Sequence, residues 1–407
     1  MGRQRTWRSV VVLVLATALV VAACGDDDGG NSAEGFKFGM ILVGPQNDQG
    51  WSQAHYEAGL YVVEQLGLPA DAMIVLDKVN TADRPETSIE SVVDDMVANG
   101  AQLIFATSDD MKDGIEAAAA AHPDVPMIWS SGDSAWADGK AFRADLTNLG
   151  NIMGQMEYAK MIAGCAAALT TGTGSIAYLG PLINDETRRL VNSAFLGASY
   201  CWENYRGEAA GTLGFEVKWI GFWFNIPGFT LDPTQVTNEF LAAGADVVLS
   251  GIDTTEAIVR IGQAAAGGEA VWAVPYDFKG ACAAAPDACL GVPYFNWGPS
   301  YLDTAQAVVD DAFVSEWQWV GPDWDDINNA DTSHVGWVSG DGLSADAQAD
   351  LDDFIAGLGS GDVNLYVGPL NWQDGTAFLA DGEEASDFQI WYAEQLLEGI
   401  VGASAAG

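Results

Sequence analysis

The chain has 407 residues, 49% of them hydrophobic, and sets 57 Asp and Glu against only 16 Lys and Arg, a net charge of −41. So acidic a chain has no electrostatic footprint for nucleic acid, is repelled from an anionic membrane, and suits a neutral or cationic small molecule better than an anion. Its length exceeds one typical domain and fits two.

Residues 1–23 read as an export signal: Arg3, Arg5 and Arg8, an apolar run over 10–21, then small residues before a cysteine. The run is too short for a comfortable membrane span. Losing its three arginines would take the net charge from −41 to −44. Val21-Ala22-Ala23-Cys24 resembles the lipobox of bacterial lipoproteins, so Cys24 is expected to be acylated and to hold the protein to the membrane. Residues 24–35 are rich in Gly and Asp and read as a flexible tether. The three aspartates there lack the alternating spacing of a calcium loop.

From residue 36 a strand and helix rhythm begins. Apolar strands are predicted at 38–43, 73–79, 103–107 and 127–130, with helices near 53–66, 88–99 and 114–121. Strands apolar on both faces and separated by helices imply a parallel sheet covered on both sides. That is one lobe, residues 36–148. A second lobe, 149–277, repeats the plan: a long helix over 150–169, strands at 175–179, 215–224, 247–250 and 270–274, and helices near 188–205, 234–243 and 255–265. Beyond it come a strand over 290–297, helices near 301–312 and 346–358, the loop GPLNWQDG and a final amphipathic segment. Trp317, Trp319, Trp324 and Trp337 are expected to pack at a hinge or on the surface.

The loop after the first strand carries Asn47 and Asp48 for hydrogen bonds and Trp51 for a flat apolar face, at the strand end where α/β folds bind ligands. Cys24 apart, four cysteines remain, and an even number in an exported chain permits two disulfides. Cys282 and Cys289 bracket the short loop CAAAPDAC, and Cys165 and Cys201 lie on predicted helices flanking one strand; four buried thiols are the alternative. No Cys/His cluster offers a metal site, since His55, His122 and His334 are far apart in sequence. With no nucleophile elbow, P-loop or zinc motif, neither an enzyme nor a cofactor is expected.

Taken in order, GPQNDQGWSQAHYEAG, LIFATSDDMKDGIEAAAAAHPDV, MIAGCAAAL, GADVVLSGIDTTEA, VPYFNWGPSYLDTA, VGPLNWQDGTAFL and EGIVG resemble the basic membrane protein family, substrate-binding lipoproteins of ABC transporters related to nucleoside receptors. The resemblance implies a type I periplasmic-binding-protein fold, two Rossmann-like lobes with parallel sheets joined by three crossovers. The first lobe would then regain a return segment at about 278–315, and the second a C-terminal segment at about 335–407. It also implies a ligand closed between the lobes, a base held between aromatics and a sugar held by carboxylates.

Position by position, the family contacts fall on Asn47, Asp48 and either Trp51 or Tyr56 in the first loop, and on one of Asp109, Asp110 and Asp113 after the third strand. In the second lobe they fall on Trp223, Gly251, Asp253 and Asp277. Asn296 and Trp297 match the Trp-bearing branch, while Phe295 stands where nucleoside receptors often place a lysine. The segment FWFNIPGFTLDP is longer than the family's usual loop.

Trp51 and Trp223 would present two flat faces, each stacking contact contributing roughly 1 to 3 kcal/mol. Asp48, Asp253 and Asp277 can accept hydrogen bonds, and Asn47 and Asn296 can donate and accept, a set that suits a purine better than a phosphate. Asp253 and Asp277 are also expected at helix N-caps, and Lys279 is the nearest cation. The expected function is capture of a purine nucleoside or nucleobase outside the cytoplasm and delivery to a permease driven by an ATPase subunit. The alternatives are a sugar or other small polar metabolite as ligand, or a ligand-sensing receptor.

Overall fold

The computed structural model describes residues 33–405. The expected signal and the expected acylation site Cys24 lie outside the described residues, as does the expected tether up to residue 32.

Two parallel sheets organise the molecule. The first contains β1 (Phe38–Ile41), β2 (Met73–Leu76), β3 (Leu103–Ala106), β4 (Met127–Ser130), β5 (Leu149–Gly154) and β11 (Trp317–Val320), in the order β11-β5-β4-β3-β1-β2. Helices α1 (Trp51–Gln65), α2 (Ile89–Ala98) and α3 (Lys112–Ala121) connect its strands. The four-residue strands β1, β3 and β4 are buried throughout, as a sheet covered on both faces requires.

The second sheet orders β15 (Ile400–Val401), β7 (Gly214–Trp219), β6 (Ser175–Gly180), β8 (Val247–Ser250) and β9 (Trp272–Val274), all parallel. Around it lie α4 (Met156–Thr170), α5 (Asp185–Asn204), α6 (Pro233–Ala242) and α7 (Glu256–Ala266). Asn184 caps α5 in a reciprocal box with Thr187, and Asp232 caps α6 ahead of Pro233, which marks why both helices start there.

The chain leaves the first sheet after β5. It returns through β10 (Gly291–Phe295) to α8 (Gly298–Val309), whose Tyr301 and Ala305 join the core of the first lobe, and to β11. It leaves again through β12 (Val335–Ser339), antiparallel to β10, into α9 (Ala345–Ser360), whose Leu351 and Phe354 join the core of the second lobe. The loop GPLNWQDG lies in a small hairpin of β13 (Leu370–Asn371) and β14 (Ala377–Leu379). The final segment is mostly irregular: α10 (Asp387–Trp391) is one short helix, Leu397 bridges to Trp372, and β15 pairs with β7.

The helix expected over 150–169 is in part a strand. Residues 149–154 form β5 of the first sheet, so that lobe runs past the expected boundary at 148, and α4 starts only at Met156. Both stretches are buried on nearly every face, and without a polar side neither period 2 nor period 3.6 can show.

α4 and α5 meet backbone to backbone. A Cβ on Gly164 would lie 1.9 Å from the Ala194 carbonyl oxygen, and one on Gly197 would lie 2.0 Å from that of Met161. Cys165 and Cys201 bridge the same two helices, and Cys282 and Cys289 close their own short loop. Trp317 and Trp319 sit in β11 with Trp317 stacked on Trp136 at 4.1 Å, Trp324 meets Tyr158 edge-on, and Trp337 is buried in the second core.

Candidate functional site

Between the two sheets lies a tight chamber of about 20 Å³, far below the roughly 300 to 1,000 Å³ usual for small-molecule sites, so a ligand enters only as the lobes part. The first lobe contributes Trp51 from the first turn of α1, Ser108 and Asp109 after β3, and Ser131 after β4. The second contributes Glu186 from the first turn of α5, Trp223 after β7, Asp253 after β8 and Tyr276 after β9. These groups stand beyond the carboxyl ends of parallel strands or at helix starts, where an open α/β sheet leaves a crevice.

Trp51 is locked from behind. Its Nε1 donates to the Thr107 carbonyl at 2.5 Å, and its ring meets those of His55, Phe295 and Trp297 edge-on at 4.7 to 5.3 Å. Trp223 is also buried, yet its Nε1 has no hydrogen-bond partner among the described residues, and neither has the Ser131 hydroxyl. Ser131 adopts φ +68°, a left-handed conformation that is uncommon for a residue with a side chain.

The lobes touch at the chamber's edge. A Cβ on Gly50 would lie 1.7 Å from the Asp253 carbonyl oxygen, so the loop before α1 and the loop after β8 are in backbone contact. The Asp253 N–H donates to the Trp223 carbonyl at 2.9 Å, tying the two second-lobe walls together.

Burial dominates the electrostatics. It pushes the Glu186 carboxyl up to about 7, with the charge of Asp109 adding and that of Arg189 opposing. The Asp109 carboxyl rises for the same reason, against the pull of Lys112. Burial holds Asp253 and Asp277 well above the usual carboxylate range, with the charge of Asp277 adding at Asp253 and those of Asp48 and Glu186 adding at Asp277. A protonated carboxyl presents a donor beside an acceptor, the complement of a heteroaromatic edge with a ring nitrogen and an amino or oxo group.

Asp277 lies just behind the wall, fully buried at φ +71°, with no hydrogen bond of good geometry to either oxygen. The Lys160 cation and, more weakly, the Tyr276 hydroxyl draw its carboxyl downward against burial. Lys160 on α4 is buried as well: its Nζ donates to the Ser250 carbonyl at 2.8 Å and stands 3.3 Å from the centre of the Tyr276 ring. Burial lowers its ammonium to about 7.

Of the residues singled out from sequence, Trp51, Asp109, Trp223 and Asp253 line the chamber, and Asp109 is the one of its three neighbouring acids that does. Gly251 packs on the Tyr178 ring, and Trp297 supports Trp51 while stacking on His55 at 4.2 Å. The others stand outside. Asn47 is exposed, Tyr56 packs on the first core from α1, and Asp113 sits on the first turn of α3.

Asp48 caps α1 instead, Oδ1 accepting from Gly50 and Gln53 N–H at 2.9 Å and Oδ2 from Ser52 N–H at 3.0 Å. Burial raises it to about 6 against those three donors. Asn296 donates to the carbonyls of Ala330 and Ser333 and so pins a loop. Lys279 lies over the Tyr294 ring at 5.1 Å, and the cation behind the chamber is Lys160. In an apolar helical run that lysine carried no signal of its own. Glu186 and Tyr276 were accessible to the strand-end rule, Tyr276 standing beside Asp277. Among the described residues no group of three side chains fits a metal ion, and no helix is long and apolar enough to cross a membrane.

Residues 36–206 match the family model of PnrA-like ABC transporter substrate-binding proteins. A purine-binding protein of Brucella abortus is 26% identical over 88% of this chain and 90% of its own length. A putative ABC transporter glucose-binding protein of Haloferax volcanii is 24% identical over 72% of this chain and 67% of its own. The crystal structure of an ABC transporter solute-binding protein from Aeropyrum pernix superposes with a TM-score of 0.61 at 13% identity, covering 80% of this chain and 92% of that one. The fold is that of the type I periplasmic solute-binding proteins, and within it residues 36–206 are similar to the PnrA-like ABC transporter substrate-binding proteins.

Proposed function

We propose that the protein captures a purine, as base or nucleoside, between its lobes and delivers it to an ABC permease whose ATPase subunit works on the cytoplasmic side, while acylated Cys24 holds it to the outer face of the membrane. One observation carries the reading: a closed chamber walled by Trp51 and Trp223, in which Asp253 and Glu186 are held toward their protonated forms and the Trp223 N–H has no partner. A planar heterocycle entering as the lobes part would find an aromatic wall on each lobe. A phosphate would meet no cation on them. The likeness to a purine-binding protein points the same way.

The second reading, a sugar ligand, draws on the likeness to a putative glucose-binding protein and on the same carboxyls, which suit hydroxyl groups too. Thermal unfolding against purine bases, nucleosides, pentoses and glucose separates the two. A ligand that binds only the folded state adds about 2.7 kcal/mol of stability at a hundredfold excess over its Kd. Stabilisation by purines that Trp223→Ala abolishes is the expected result. Stabilisation by sugars alone, or by purines equally in the variant, refutes the purine clamp.

A further inference from the structure

A larger cavity, about 440 Å³, lies beside the crossovers and shares no lining residue with the inter-lobe chamber. Its walls come from the start of α4, from β11, and from the segment between α9 and α10. Three aromatic side chains, Tyr158, Trp319 and Tyr366, face it together with three carboxylates, Glu157, Glu384 and Asp387, and no lysine or arginine lines it.

Glu157 is the unusual member. Only 4% exposed, it accepts from Arg189 Nε through Oε1 at 2.6 Å, while its Oε2 has no partner among the described residues. A buried carboxylate oxygen left unpaired costs roughly 1 to 3 kcal/mol, so a donor arriving there is favoured. Arg189 offsets Glu157, which leaves Glu384 and Asp387 as uncompensated charge at the rim. All three carboxylates bear on one point, since with burial their charges push the Tyr158 hydroxyl up. Asn364 Nδ2 donates to Glu384 at 2.9 Å and holds it in place.

We propose that this cavity is a second ligand site, specific for a small organic ammonium cation with an apolar body. Aromatic faces beside carboxylates are the arrangement that recognises such cations, through the ring quadrupole and direct charge attraction. An anion would meet three carboxylates here, and an uncharged apolar molecule would leave them unsatisfied. The proposal does not depend on the purine reading, because the two cavities are separate.

The test is calorimetric titration of the full chain with choline at ~0.15 M salt, where surface attraction is screened beyond about 8 Å. Its uncharged isostere, 3,3-dimethylbutan-1-ol, is titrated in parallel. Saturable choline binding is expected, with none for the isostere, and the exposed pair Glu384→Gln/Asp387→Asn should weaken it at least tenfold, about 1.4 kcal/mol. Trp223→Ala, which alters only the other chamber, should leave choline binding unchanged. No saturable heat, equal binding of the isostere, or an affinity lost in Trp223→Ala but kept in the double variant would overturn the assignment.

Discussion

Gly50→Ala should hold the lobes apart without unfolding them. In the closed molecule the added methyl would stand 1.7 Å from the Asp253 carbonyl oxygen, whereas real Cβ contacts essentially never fall below 3.0 Å. The facing atom is backbone, so no side chain can swing aside, and the loops must separate by ~1.3 Å or more. Gly50 has φ −148°, outside the left-handed region, so alanine meets no such strain once the lobes part.

Overpacking of this kind costs about 1 to 3 kcal/mol. Because it falls on the closed form, it should appear as a Kd raised by about 5- to 150-fold. Gly50 is also the N-cap of α1, where alanine is poorly tolerated, and that separate cost of up to about 1 kcal/mol would lower the midpoint of the ligand-free protein only slightly. Titration with the ligand identified in the thermal panel gives Kd, and small-angle scattering of the saturated protein gives its radius of gyration. A Kd within twofold of wild type together with an unchanged radius would refute the argument that this backbone contact defines closure.

The remaining expectations concern charge and covalent links. Burial raises the Glu186 carboxyl to about 7 from 4.5, so its contribution to stability is whole below 4.5 and is lost as pH rises toward 7, by up to about 3 kcal/mol. Denaturant unfolding of wild type and Glu186→Gln at several pH values should show the variant free of that decline, and parallel curves would count against it. The Cys165 and Cys201 bridge spans a sequence separation of 36, and the chain-entropy estimate for such a loop is about 4 kcal/mol. Replacing both with Ala should lower stability by that order in urea unfolding, and a loss below about 1 kcal/mol would exclude the entropic account.

Local pattern made the α/β class legible. The apolar tetrads of β1, β3 and β4 could be read directly, and so could the turn signals between them, because burial on both faces and chain reversal leave marks within a few residues. The order of short motifs carried a family resemblance and, with it, the expectation of a two-lobed fold. Trp51 could be singled out because it follows a strand end, and Trp223 and Asp253 because the resemblance placed ligand contacts on them. The pattern failed where a segment has no solvent face, and hence 150–154 looked continuous with α4 although it pairs with β4 and β11.

What only the tertiary structure decided is which of many equivalent side chains meet. Asp48 and Asp253 read alike in sequence, yet the amides of Gly50, Ser52 and Gln53 occupy the first while the second faces the chamber. Lys160 gave no local sign of standing over Tyr276, nor Gly50 of touching Asp253, because both contacts join residues more than a hundred positions apart. The same holds for protonation. Composition determines that the chain is acidic, but a carboxyl keeps its proton near neutrality only where folding strips its water and sets other carboxyls beside it, as at Glu186.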